Sequence, residues 1–265
     1  MPRKLALRGV VFGYLIFVLL APLGMVFYRT FEAGLHPIWS ALSDPNTIHA
    51  FKVTLIATAI AVPINTVFGV LCGLAIVRRR FPGKGILNAF IDLPLAISPV
   101  VIGLCLFLLY GREGWFSSWT FTSDGTSLVL FAMPSIVLAT VFVSVPFVAR
   151  EVIPTLRELG TEQEQAAATL GATRWQRFWR ITLPAIRWAI IYGVVLTTAR
   201  CLGEYGAVAV VSGSIQGKTE TASIAVDQYA QNFNTTGAYA VSLVLAVIAV
   251  LVLTAMTVIK PREAR

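Results

Sequence analysis

Two charged residues inside an apolar stretch are the side chains best placed to do chemistry. Arg200 and Glu204 are one helical turn apart in the sequence, where they can form an ion pair. Arg200 lies about 24 Å along a helix beyond Pro184, which places it in the outer part of a membrane span. A cation at that depth is costly and normally faces the bundle interior or water. We interpret the pair as structural and self-neutralising; direct contact between Arg200 and a transported anion is the alternative.

Two glycines flank the acid of this pair. Gly203 and Gly206 permit either the close approach of another helix or a local break in their own helix. Both outcomes suit a constriction that opens and closes. We therefore predict that Arg200, Gly203, Glu204 and Gly206 belong to a translocation path or an outer gate.

An enzyme active site within the membrane is a second class of function. The acids available to it are Asp92, Glu204 and Asp227, and the histidines are His36 and His49. They form no carboxylate pair, and neither they nor the cysteines have metal-ligand spacing or an activated nucleophile beside them. We predict no catalytic site, metal or cofactor in this chain. A secondary transporter, the third class, would need a coupling-ion site within the spans, and few intramembrane acids exist to form one.

One glycine-rich run approaches a phosphate-binding loop. It reads Gly213-Ser-Ile-Gln-Gly-Lys-Thr219, with three residues between the glycines where a P-loop has four. Ser212 also occupies the position of the first glycine. We interpret the run as a plain turn, or as a loop that faces another protein, and exclude nucleotide binding.

The composition predicts a membrane protein. Hydrophobic residues make up 57% of the 265 positions and charged residues 13%, against roughly 25% charged in soluble domains. A bilayer core of about 30 Å takes roughly 20 apolar residues to span as a helix. Six runs qualify, at about 10–28, 53–77, 86–110, 128–149, 185–211 and 238–259. We predict an all-α integral membrane protein of six transmembrane helices, in one domain spanning 1–265.

The positions of the basic residues predict the orientation. With the N-terminus inside, 16 of the 21 Lys and Arg residues fall in inner segments and 4 in outer ones. This asymmetry fits the positive-inside rule, with both termini cytoplasmic. A hairpin at about 150–184 is then cytoplasmic, and loops at about 29–52, 111–127 and 212–237 are extracytoplasmic. The net charge of +8 therefore reports membrane orientation and not a nucleic-acid partner.

Five prolines lie inside the apolar runs or at their ends, and each removes a helical hydrogen bond and bends the axis. Membrane helices tolerate such residues where neighbours satisfy the freed carbonyls. Alternatively, the bent helices splay apart to line a cavity. The prolines are Pro63, Pro94, Pro99, Pro134 and Pro146.

The predicted cytoplasmic hairpin carries signals for two short helices. Thr161 followed by Glu164 has the pattern of a capping box, which predicts a helix from about residue 162. Gly171 suits a left-handed cap that ends this helix after about nine residues. Thr173 followed by Gln176 is a second capping box, which starts another helix toward the next span.

The same segment resembles a known motif. Gln165-Ala-Ala, Gly171 and Ile181-x-Leu-Pro184 have the spacing of the EAA loop of bacterial ABC importer permeases, EAA-x3-G-x9-I-x-LP. In that family the loop is a coupling helix that docks on a separate ATPase subunit. Gln165 departs from the family's glutamate, so an amide hydrogen bond would replace any salt bridge there. The resemblance implies ATPase-coupling roles for Glu164, Gln165, Ala166, Ala167, Gly171, Ile181, Leu183 and Pro184.

Segments elsewhere in the chain extend the resemblance. The segments 92–103, 146–154 and 199–207 are similar to sulfate and molybdate permeases, and 92–103 is closest to the CysW type of sulfate permease. Ser98, in the first segment, joins the predicted path on this basis. The resemblance implies a type I ABC importer permease fold in the bacterial inner membrane, with sulfate as substrate and thiosulfate, molybdate or tungstate as alternatives. It also implies a second related permease, two ATPase subunits that carry ATP and Mg, and an extracytoplasmic binding protein.

Overall fold

The computed structural model describes residues 2–32, 34–121 and 127–259. Helices joined by turns and loops make up this part of the chain, together with one isolated antiparallel bridge between Phe121 and Ser127. A π-helical turn occupies Phe178–Thr182. The helices are α1 (Pro2–Glu32), α2 (Leu35–Leu42), α3 (Pro45–Arg78), α4 (Lys84–Ala96), α5 (Pro99–Tyr110), α6 (Ser117–Thr120), α7 (Met133–Glu158), α8 (Glu162–Thr169), α9 (Arg174–Arg177), α10 (Leu183–Ala185), α11 (Arg187–Leu202), α12 (Gly206–Val211), α13 (Ala222–Gln231) and α14 (Thr235–Ile259).

The predicted spans appear in two forms. Three are single helices long and apolar enough to cross a bilayer, within α3, α7 and α14. The other three are helix pairs bent at a short break, by 100° between α1 and α2, 112° between α4 and α5, and 64° between the 174–185 segment and α11. The described residues contain up to six spans if each bent pair counts as one. The number agrees with the prediction, but half of the spans are not straight rods.

The sharpest break has a local cause in the sequence. Ile97 and Ser98, between α4 and α5, have extended ψ angles of 139° and 136°. A residue that precedes proline is driven out of the helical region by a clash with the proline ring, and Pro99 follows Ser98. Pro99 then takes the first position of α5, where its missing N–H costs nothing. By contrast, Pro63 and Pro146 lie inside continuous helices.

The fold is organised around α7, which packs against both α3 and α11. Val148 of α7 is fully buried, and glycines face it from both neighbours. A Cβ added at Gly69 of α3 would lie 2.7 Å from the Val148 Cβ, and one at Gly193 of α11 would lie 2.8 Å from the Val148 Cα. Small residues at such contacts let membrane helices approach closely. Asn65 of α3 adds a polar link, donating to the Val141 carbonyl at 3.1 Å.

The outward faces of the long helices are apolar. Phe17 of α1 is 71% exposed, and Leu71 of α3 and Leu251 of α14 are 59% and 63% exposed. Exposure of these side chains to water is unfavourable, whereas their contact with lipid tails is favourable. The predicted multi-pass membrane protein is therefore confirmed by the apolar surface of its spans.

The close contact at Val148 makes a stability prediction. The variant Gly69→Ala should lower the free energy of unfolding by about 1–3 kcal/mol, because the new methyl group must displace α7. Thermal unfolding of the purified chain in detergent measures this. Gly24→Ala is the matched control, since Gly24 lies in helix α1 with no atom within 4 Å of an added Cβ. Equal stability of the two variants would contradict the proposed packing constraint.

Candidate functional site

The hairpin between α7 and α11 has two short helices around a glycine turn, as predicted. Helix α8 ends at Thr169, and Gly171 adopts a left-handed φ of +83°. The second capping box forms in full, with the Gln176 N–H donating to Thr173 Oγ1 at 3.3 Å and the Thr173 N–H donating to Gln176 Oε1 at 2.9 Å. Beyond α9 the helix widens into the π-helical turn before it reaches α10.

The first predicted capping box is wrong. Thr161 precedes α8, but its side chain caps no backbone N–H and instead accepts from Gln165 Nε2 at 2.8 Å. The Glu164 carboxylate turns away from the helix start and reaches Arg78 at the end of α3. The guanidinium carries a full positive charge, so its Coulomb attraction to the carboxylate exceeds that of a neutral backbone amide.

Glu164 therefore joins three parts of the chain. Its Oε1 lies 3.0 Å from Arg78 Nη2 and accepts from Thr182 Oγ1 at 2.9 Å. Arg78 Nη1 also donates to the Leu156 carbonyl at 3.2 Å, near the end of α7. The two charged side chains are 15% and 20% exposed, so water screens the pair only partly. We call this cluster of Arg78, Leu156, Glu164 and Thr182 the hairpin anchor.

The remaining predicted coupling residues lie mostly at the hairpin surface. Gln165, Ala166, Gly171 and Pro184 are exposed, and Ala167, Ile181 and Leu183 are half-buried. Glu164 differs, because its carboxylate is engaged by the protein's own Arg78 and Thr182. The groove beside Ala167 is lined by small and apolar side chains together with Arg177 and Arg180, so a partner that contacts it would also meet positive charge.

Sequence reasoning missed two residues of this region. Leu170, directly before the glycine turn, is an apolar side chain 88% exposed at the hairpin tip. An apolar residue between a polar helix and a cap glycine is the signal that could have identified it. Arg78 was counted only as one of several inner cations, and nothing local to it indicates a partner 86 positions away.

The second predicted site lies where α11 ends. Arg200 Nη1 and Glu204 Oε2 are 2.6 Å apart, with 30% of the arginine and 3% of the glutamate side chain exposed. Glu204 Oε1 also accepts from the Ala207 N–H at 3.0 Å, at the first turn of α12. One carboxylate thus neutralises the intramembrane cation and satisfies the start of the next helix.

Both predicted roles of the glycines are found here. Gly203 follows the last residue of α11, and the break extends through Tyr205 to the start of α12. Gly206 is a close contact, since its added Cβ would lie 3.1 Å from the Pro99 Cβ. An added Cβ at Gly103 would lie 2.6 Å from the Ala207 carbonyl oxygen, so α5 and α12 touch backbone to backbone. Ser98, the exposed residue before Pro99, stands beside this contact.

The break between α4 and α5 therefore lies against the break between α11 and α12. At the start of α12, the Ala207 N–H is satisfied by the Glu204 carboxylate. The Arg200 and Glu204 pair lies at the same place, so the local charge is balanced.

Comparison with known proteins identifies the family. Residues 65–265 match the model of the binding-protein-dependent transport system inner membrane component. The chain belongs to this family. The match begins within α3. It includes the hairpin, the break between α4 and α5, and the break between α11 and α12.

Individual relatives cover nearly the whole of this inner membrane component. It is 49% identical to the sulfate transport system permease protein CysW of Synechocystis over 98% of its own length and 93% of that protein. It is 36% identical to the sulfate transport system permease protein CysT of Escherichia coli, over 95% and 90% of the two chains. A chain of a bacterial ABC transporter involved in alginate import superposes with a TM-score of 0.79, covering 100% of this chain and 98% of that one at 17% identity. The predicted ABC permease fold is thereby confirmed.

The hairpin anchor predicts a loss of stability on neutralising Glu164. The variant Glu164→Gln should reduce the free energy of unfolding by about 2 kcal/mol, because the partly buried Arg78 loses its counter-ion. It should also speed proteolysis within the hairpin. Glu162→Gln is the control, an exposed acid on the same helix. If both variants unfold and are cleaved alike, Glu164 does not anchor the hairpin.

Proposed function

We propose that this chain is the transmembrane permease subunit of an ABC importer for sulfate. The observation that carries the proposal is the 49% identity to a sulfate permease along nearly the full length of both chains. A protein conserved end to end at this level retains the span breaks and loops that shape a path, not the fold alone. The chain forms half of the translocation path, and a related permease forms the other half.

The energy for transport comes from outside this chain. Two ATPase subunits bind ATP and Mg and hydrolyse the nucleotide, and the hairpin at 161–184 transmits their motion. The exposed alanine face of α8 lets a partner backbone approach closely, and Leu170 provides an apolar contact at the tip. Because the hairpin anchor joins α8 to the ends of α3 and α7, a displacement of α8 is passed on to the spans.

Substrate capture also lies outside this chain. An extracytoplasmic binding protein delivers the anion to the outer ends of the spans. In the path, Arg200 and Glu204 cancel each other's charge, which avoids holding a dianion too tightly to release it. Ser98, Gly203 and Gly206 surround the breaks where α5 and α12 meet and form the outer gate.

Uptake in proteoliposomes tests the assignment. The chain is reconstituted with its ATPase, partner permease and binding protein. It should then import labelled sulfate only when ATP is present on the side of the membrane that the ATPase subunits face. Uptake should be reduced by excess unlabelled sulfate more than by thiosulfate, molybdate or tungstate. Preference for one of these other anions would overturn the sulfate assignment while leaving the importer assignment in place.

The coupling role rests on the turn at Gly171. Gly171→Val should abolish ATP-coupled uptake but leave membrane insertion intact, because a β-branched residue resists the left-handed conformation. No atom lies within 4 Å of an added Cβ, so the effect comes from the backbone and not from a clash. Gly85→Val, at an open position early in α4, is the control. Normal uptake by the Gly171 variant would refute the coupling role.

The charge pair predicts that a second substitution can restore the uptake lost when Arg200 is replaced. Arg200→Gln should lower uptake at least about tenfold, since it leaves buried Glu204 without a cation. The double variant Arg200→Gln with Glu204→Gln should regain much of the activity, because neutrality is restored. Membrane expression is matched by quantitative blotting. A stable double variant that remains inactive would show that Arg200 contacts the anion directly.

A further inference from the structure

A small cavity lies away from the translocation path, between the start of α3 and helix α13. Its volume is about 100 Å³, enough for one ion and a few water molecules. The walls are rich in oxygen atoms, from Asp44 and Thr47 at the start of α3 and from Gln228 and Tyr229 of α13. Glu220, in the loop before α13, completes the wall.

Glu220 is the unusual residue of this cavity. Only 3% of it is exposed, although it carries a carboxyl group. Its backbone N–H donates to the Ile215 carbonyl at 3.1 Å, but its carboxylate has no hydrogen-bond or ion-pair partner among the residues the structure describes. An ionised carboxylate so buried is costly unless a cation neutralises it. A cation in the cavity would neutralise this carboxylate.

A second carboxylate lies in the same cavity. Asp44 caps α3, with Oδ1 accepting from the Asn46 N–H at 2.8 Å, and its carboxylate also faces the Tyr229 hydroxyl. Burial, and the charge of Asp44, raise the pKa of Glu220 to about 7. Asp44, Glu220 and Tyr229 are the titratable residues along the described cavity wall, and no lysine, arginine or histidine joins them there.

The neutral oxygens complete a set of hard ligands. Thr47 Oγ1 and Tyr229 Oη are 2.8 Å apart, and because only one of them donates, both retain lone pairs. Gln228 Oε1 accepts from Gln216 Nε2 at 2.9 Å, so the amide is held in place. Carboxylate, hydroxyl and amide oxygens in an irregular arrangement suit Ca²⁺, whereas Mg²⁺ demands near-ideal octahedral geometry.

We propose that this cavity binds a hard divalent cation of the Ca²⁺ class, with Asp44 and Glu220 as its charged ligands. The ion would join the start of α3 to α13 and to the loop at 212–221, which otherwise contact each other mainly through neutral groups. Protons compete with the ion for Glu220, so the affinity falls as the pH drops below 7. The inference does not depend on the transported substrate, because none of these residues belongs to the outer gate.

Thermal unfolding of the full chain, purified in detergent, tests the site. At about pH 8, millimolar CaCl₂ should raise the unfolding midpoint by about 3 °C or more over EDTA, and at about pH 5 the shift should vanish. MgCl₂ should give a smaller shift. Equilibrium dialysis with labelled calcium should show one ion per chain. Absence of any calcium-dependent shift at about pH 8 would overturn the proposal.

Substitutions separate the site from a general effect of calcium. Glu220→Gln should abolish the calcium response and, in EDTA at about pH 8, should raise the midpoint, because the desolvated charge is gone. Asp44→Asn is a second variant that keeps the helix cap and should weaken calcium binding at least about tenfold. Glu113→Gln, an exposed acid in another loop, should respond as the wild type does. If Glu220→Gln keeps the calcium-dependent shift of the unfolding midpoint, the proposed cation site is wrong.

Discussion

Backbone hydrogen bonding in lipid is the constraint on which the rest of this structure depends. Within a bilayer core, every N–H and C=O must find its partner inside the protein, so a span can be interrupted only where another part of the protein covers the break. Here the break at Ile97 and Ser98 lies against the break that follows Gly203, with α5 and α12 in backbone contact. Each interruption is thus covered by the other, at the starts of α5 and α12.

The closely packed helices α3, α7 and α11 provide the rigid frame for this pair. Helices α3, α7 and α11 pack through glycines onto Val148, at distances that leave no room for a side chain. Close-packed contacts of this kind deform little, so a force applied at one end is carried along the helices. The hairpin anchor lies at the ends of α3 and α7, which links the proposed ATPase contact to the frame that holds the gate.

The charged residues form three different arrangements at three places in the molecule. Arg200 and Glu204 neutralise each other within one chain segment, and Arg78 and Glu164 neutralise each other between distant segments. Asp44 and Glu220, by contrast, share a cavity without a described basic residue in its wall. The first two arrangements are complete in themselves. The third has two acids and no basic partner in the described cavity wall.

The sequence by itself determined the features that local chemistry controls. The apolar runs located the spans, Thr173 and Gln176 formed their capping box, Gly171 took the left-handed turn, and Arg200 paired with Glu204 four residues later. These depend on neighbours within a few positions. Only the tertiary structure decided the contact between α5 and α12, the turn of Glu164 from its own helix to Arg78, and the cavity around Glu220. Each of these depends on a partner tens of residues away, whose position is set by packing and not by pattern.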